Sequence, residues 1–290
     1  MEWTPKFLLQ KIPIGRWVQG MIEFLTDNFD DQFGLFSDGL EAMILYTISG
    51  FEKVPPLALI AVIVGLAYGL HRSWKGALGL AAALLLVLNL GYWQETIATV
   101  ALVLFATLIS LLFGVPTGIL AAHRRWLYVI LRPILDLMQT IPTFVYLIPT
   151  LMLFGLGMVP GLISTVVFAI PAPIRLTYLG ITGVPAPLID AGKAFGASRL
   201  QLLFKVELPH AMPTIMAGLT QCIMLSLSMV VIAALVGADG LGKPVVRALN
   251  SVNIAQGFEA GLAIVIVAIV LDRLVKQPEG SKRSSLSRGV

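Results

Sequence analysis

The sequence predicts an all-α, polytopic membrane protein with about seven transmembrane helices behind an amphipathic N-terminal segment. Three observations lead there. Hydrophobic residues make up 57% of the 290 residues and charged ones only 12%, against about 45–50% and about 25% in soluble domains. Mean hydropathy is +0.89. Apolar runs recur from residue 54 to residue 275, each near the length of about 20 residues that a bilayer core demands. One polar stretch, 185–209, interrupts them with Asp190, Lys193, Arg199, Lys205 and Glu207, charges that hydrocarbon rejects.

Taken in order, residues 1–53 read as an amphipathic tail. Phe7, Leu8, Ile12, Ile14, Trp17, Ile22, Phe24 and Leu25 alternate with polar groups, and Asp27, Asp30, Asp31 and Asp38 form an acidic patch. No uninterrupted apolar core follows a basic start, so a cleaved signal peptide is not expected. A helix lying in the membrane interface is, with Trp3 and Trp17 at headgroup depth.

The transmembrane domain occupies 54–275, with spans expected near 54–71, 76–93, 97–121, 133–154, 158–181, 212–237 and 257–275. A short tail, 276–290, follows. Seven crossings put Arg72 and Lys75, then Arg124, Arg125 and Arg132, then the charges of 185–209, on one side. Arg273, Lys276, Lys282, Arg283 and Arg288 join them, while the turns at 94–96 and 155–161 carry no basic residue. On the far side, the 238–256 segment carries Lys243 and Arg247, and the N-terminal tail has more acids than bases. Lys and Arg collect in cytoplasmic loops. The expectation is an extracytoplasmic N-terminus, a cytoplasmic C-terminus, and 185–209 facing the cytoplasm. Topology thus accounts for the net charge of +4, and nucleic acid is not invoked.

The 185–209 stretch is too regular for a slack loop. Pro185 and Pro187 suit the first turn of a short helix, and Gly196 suits the left-handed residue that closes one. Ser198 and Gln201 have the spacing of a capping box for a second helix, which Leu200, Leu203 and Phe204 give an apolar stripe and Pro209 is expected to end. Two short helices with a glycine corner are shaped to be gripped from outside the membrane.

The spacing also resembles the loop of permease subunits of ATP-binding-cassette importers: Glu-Ala-Ala, three residues, Gly, nine residues, Ile-x-Leu-Pro. Here Asp190, Ala191 and Gly192 precede Gly196 by that interval, and Val206, Glu207, Leu208 and Pro209 close it. Asp replaces Glu, Gly the second Ala, and Val the Ile. The runs 135–149, 171–181 and 229–274 resemble the subfamily that imports glycine betaine, proline betaine and choline. The resemblance implies a type I importer permease fold in a bacterial cytoplasmic membrane. It also implies a permease homodimer, two cytoplasmic ATPase subunits that bind the ATP, and an extracytoplasmic substrate-binding protein. Asp190, Ala191, Gly192, Gly196, Ala197, Ser198, Leu208 and Pro209 would then meet the ATPase.

No cofactor is expected on this chain. Gly237–Lys243 has the Gly-x4-Gly-Lys spacing of a phosphate loop, but Pro244 stands where a Ser or Thr would hold magnesium. His71, His123 and His210 have no metal-ligand spacing, and no Ser-His-Asp set, carboxylate pair or cysteine cluster supports catalysis. Cys222, the single cysteine, reads as a buried, inert thiol. Gln139, Thr140 and Tyr146 surround Pro142 and line a translocation path if that helix kinks; interhelical packing would explain them equally well. Arg132 and Asp136 are spaced for a local ion pair, and Arg175 for snorkelling. Three other readings stay open: a permease for another small polar solute such as an amino acid, an ATP-independent secondary transporter or channel, and a membrane scaffold.

Overall fold

The computed structural model describes residues 13–276. Trp3, Phe7, Leu8, Ile12, Lys282, Arg283 and Arg288 lie outside them. The described residues form thirteen α-helices and no strand.

Helix α1 (Ile14–Glu52) runs 39 residues, broken only by non-helical geometry at Phe29. Pro55 and Pro56 then turn the chain by 96° into α2 (Pro56–His71). A proline ring forces the residue before it out of helical geometry. Phe33 and Phe36 of α1 pack on Phe154, with ring centroids 5.4 and 6.0 Å apart. Leu45, Ile48 and Glu52 border the turn that carries Tyr92 and Glu95. These partners sit at one end of the bundle. The second half of α1 therefore packs at that end, where Ile44 is fully buried.

Helices α2 and α3 (Trp74–Asn89) form a hairpin in which the Ser73 hydroxyl accepts from the Gly76 N–H at 3.3 Å. The centre of the molecule is α4 (Trp93–His123), α7 (Met158–Ala169), α8 (Pro171–Thr182) and α11 (Leu208–Ala233). Helix α13 (Ile254–Val275) joins α2 and α3 to this core through buried Leu80, Leu84, Val267 and Val270. In lipid, helices associate through close backbone approach rather than hydrophobic exclusion. Gly114 and Gly118 of α4, four apart, supply that approach to α8. A methyl group at Gly118 would sit 2.7 Å from the Ile174 carbonyl oxygen.

Two expectations change. The span at 133–154 is not one helix: α5 (Arg125–Thr140) and α6 (Thr143–Phe154) meet at 97°. Ile141, before Pro142, is extended (φ −63°, ψ 131°). The seven apolar runs also do not become seven long helices. Four helical segments are long and apolar enough to cross a membrane, six if each bent pair counts as one span, and α3 is a shorter apolar helix.

Contacts tie the helix ends together in pairs. Arg273, at the end of α13, packs on Gly76 beside the α2–α3 turn. His123, at the end of α4, meets Glu207 just before α11. At the opposite end the Gly157 N–H donates to the Val236 carbonyl at 2.9 Å.

Candidate functional site

The loop between α8 and α11 begins with α9 (Ala186–Ala194), capped by Pro185 with Pro187 in its first turn. Its end is a Schellman closure. The Ala197 N–H donates to the Gly192 carbonyl at 3.1 Å and the Gly196 N–H to Lys193 at 2.9 Å, with Gly196 left-handed at φ +75°. The capping box then starts α10 (Arg199–Leu202). The Gln201 N–H donates to the Ser198 hydroxyl at 3.3 Å, and the Ser198 N–H to the Gln201 side-chain oxygen at 2.8 Å.

Pro209 does not end the second helix, as the sequence suggested. Residues Leu203–Glu207 form a π-helical turn in which the Leu208 N–H reaches the Leu203 carbonyl, and α11 continues directly. A proline in an ordinary α-helix loses one hydrogen bond and collides with the carbonyl four residues back. The wider turn upstream accommodates the ring. One continuous rod thus joins the loop to the core.

The loop's outward face is apolar. Phe195 is 93% exposed at the corner, Leu200 68% and Phe204 64%. Asp190 and Ala191 are exposed on α9, and Asp190 lies 3.7 Å from Lys193. Leu208 packs inward beside Ile181, Ala211 and Ile215, while Pro209 stays exposed. Gly192, the departure from the Glu-Ala-Ala pattern, lies under Leu202, whose Cδ1 would come within 2.7 Å of an added methyl. Large exposed apolar patches are features of protein–protein and membrane interaction sites.

Sequence reading missed Glu207 as anything but the variable position of the motif. It is only 6% exposed. His123 Nε2 lies 3.0 Å from its Oε2, facing it without hydrogen-bond geometry. A carboxylate between Val206 and Leu208, at the mouth of an apolar run, was the available signal.

Of the path candidates, Gln139 is half-buried and Thr140 exposed, its hydroxyl donating to the Leu137 carbonyl at 3.2 Å. The Tyr146 hydroxyl reaches across the α5–α6 break to the Met138 carbonyl at 2.5 Å. Thr150 and Ser164 join α6 to α7 at 2.7 Å. Asp136 does not pair with Arg132. Arg175 donates to Asp136 at 2.6 Å, tying α8 to α5, and Tyr128 stacks on Tyr178 beside them. Arg132 carries the same guanidinium, so the placement of α8 beside α5, and not side-chain chemistry, decides the partner.

The Gly237–Lys243 loop is stitched inward. The Asp239 N–H donates to Met158 sulfur at 2.9 Å and the Leu241 N–H to the Thr99 hydroxyl at 2.8 Å. Lys243 pairs with Asp239. The amides that would cradle phosphate are spent on the fold.

Residues 114–276 match the family described as binding-protein-dependent transport system inner membrane component. The chain is 45% identical over 277 residues to the glycine betaine transport system permease protein OpuAB of Bacillus subtilis, covering 95% of this chain and 98% of that protein. It is 43% identical over 282 residues to the glycine betaine/proline betaine transport system permease protein ProW of Escherichia coli, covering 96% and 77%. The glycine betaine/carnitine transport permease protein GbuB of Listeria monocytogenes is 42% identical over 268 residues, with coverages of 91% and 95%. A chain of the inward-facing MetNI methionine ABC transporter superposes with a TM-score of 0.54 at 22% identity, over 63% of this chain and 90% of that one. That likeness concerns the fold.

Proposed function

This chain belongs to the binding-protein-dependent transport system inner membrane component family, and on that premise we propose that it is the membrane-spanning subunit of an ATP-driven importer for quaternary ammonium solutes. Glycine betaine, proline betaine and choline are the substrate class. Glycine betaine recurs in the names of the three relatives. The observation that carries the mechanism is the ordered loop with Phe195, Leu200 and Phe204 turned outward. It offers a cytoplasmic ATPase an apolar grip on a rod continuous with α11.

Closure of two ATPase subunits around bound ATP would move that rod, and the contact of Glu207 with His123 passes the movement to α4. The permease is then a two-state element biased by a partner that grips one state better. A second copy of the chain completes the path. The broken α5–α6 segment, with Gln139, Thr140 and Tyr146 near its break, lines it. A separate extracytoplasmic protein delivers the solute. The N-terminus lies outside and the C-terminus in the cytoplasm of a bacterial inner membrane.

Reconstituted with its ATPase and binding protein, the permease should accumulate labelled glycine betaine only when ATP is on the ATPase side. Uptake without ATP would favour a secondary transporter, and no uptake of betaines or choline would reject the substrate class. Orientation is read with single cysteines in a Cys222→Ala background. Ser37 is buried, so Asp38→Cys is the outer probe. An impermeant thiol reagent should label it in intact cells and leave Ser198→Cys untouched; the reverse pattern overturns the topology.

A further inference from the structure

A cavity of about 310 Å³ opens at the end of the molecule opposite the α9–α10 loop, bounded by the end of α1, the start of α4, the 239–243 loop and α12 (Gly242–Asn250). This is within the range of small-molecule sites, about 300–1,000 Å³. Its walls carry Glu52, Tyr92, Glu95, Asp239, Lys243 and Arg247. Asp239 and Lys243 pair with each other, and their charges cancel. The remaining charges are divided: Glu52 on α1 and Glu95 in the first turn of α4 are acidic, and Arg247 in the last turn of α12 is basic. The half-buried Tyr92 adds an aromatic ring on the acidic side.

We propose that this cavity is a receiving site for a small zwitterion carrying a quaternary ammonium group. A methylated ammonium cannot donate hydrogen bonds, so it is held by carboxylate charge and an aromatic face. Glu52, Glu95 and Tyr92 supply both, and a partly enclosed cleft strengthens their field. Arg247 is placed for the solute's carboxylate. A pure cation would gain only the acidic half, and an uncharged sugar neither. The cavity therefore adds a charge filter on the permease to the selection made by the binding protein. The inference rests on the importer reading for its biological setting, but the binding chemistry can be tested without transport.

In the full complex, with Cys222→Ala, a single Gln256→Cys on the cavity wall reports occupancy through its rate of thiol labelling. Millimolar glycine betaine should slow labelling and equimolar sucrose should not. Glu95→Gln or Tyr92→Leu should raise the protecting concentration about fivefold, the scale of an exposed cation–aromatic contact. Arg247→Gln should weaken protection by glycine betaine while leaving that by choline unchanged. Equal labelling with and without glycine betaine in the unaltered cavity overturns the proposal even if a charge variant fails to fold. So does Glu95→Gln weakening capture of the binding protein, loaded and empty alike, with protection retained; the cavity is then part of a docking face. Failure of ATP-driven uptake beside intact protection would reject the importer reading and leave the site standing.

Discussion

Two polar interruptions between apolar helices, 185–209 and 237–243, look alike as strings of letters. Each carries glycines at motif spacing and charges of both signs. In space they differ in where their backbone amides and apolar side chains go. The first keeps its hydrogen bonds within itself, through the Schellman closure and the capping box, and turns Phe195, Leu200 and Phe204 outward. The second spends its amides on Met158 and Thr99 and buries Gly240, Leu241 and Gly242. A self-satisfied loop is free to bind a partner; a loop satisfied by its neighbours is part of the core. Motif spacing alone does not distinguish them, and the destination of the N–H groups does.

The largest effect should come from breaking the corner of the first loop. Gly196 has open space around it, so only its φ of +75° constrains the residue. A side chain in that region costs about 1–2 kcal/mol, more for a β-branched one, and about 1.4 kcal/mol is tenfold in an equilibrium or a rate. Gly196→Val should insert in the membrane at normal levels yet lose most ATP-driven uptake. Normal uptake would mean that the corner does not transmit movement.

The second loop should respond in the opposite currency. Thr99→Val keeps the volume but leaves the buried Leu241 N–H without its acceptor, which costs about 1–3 kcal/mol. The thermal midpoint of the purified complex should fall while uptake per folded complex stays near wild type. A coupling defect with unchanged stability would erase the distinction between the loops.

The local chemistry of the first loop was legible because Gly196, Ser198 and Gln201 act on residues within a turn of themselves. What escaped the sequence depends on placement across the fold. Hydropathy reports that 133–154 is apolar but not that Ile141 and Pro142 turn it by 97°. Pro149 leaves its helix unbroken, so proline count was no guide. Arg132 lies four residues from Asp136, yet Arg175, thirty-nine away, takes the contact. Pro209 looked like a stop because a π-turn upstream has no strong sequence signature. The seven-helix reading found the apolar runs, and the bends changed how they are used.

A smaller effect should separate the loop's grip from its transmission. His123→Ala leaves the buried Glu207 carboxylate without its facing imidazole. Stimulation of ATPase activity by loaded binding protein should fall several-fold, while capture of the ATPase subunit is unchanged. Combining it with Glu207→Gln should cost less than the sum of the two, because contacting residues are coupled. Strict additivity would show that the pair does not act as one strut between α4 and α11.

The smallest effect is expected at Gly192, and it tests what a glycine in this loop is for. The family pattern places Ala there. An added methyl meets only the tip of Leu202, 2.7 Å away, and Val206 at 3.6 Å. Gly192 is not among the residues with positive φ. A flexible leucine end can turn aside, so Gly192→Ala should change coupling by about 0.5 kcal/mol, or about twofold. That small cost beside the loss at Gly196 would show that backbone conformation, rather than space, fixes the corner. A Gly192→Ala loss as deep as that of Gly196→Val would reverse the ranking. It would mean that the packing of α9 against Leu202 holds the loop in its gripping shape.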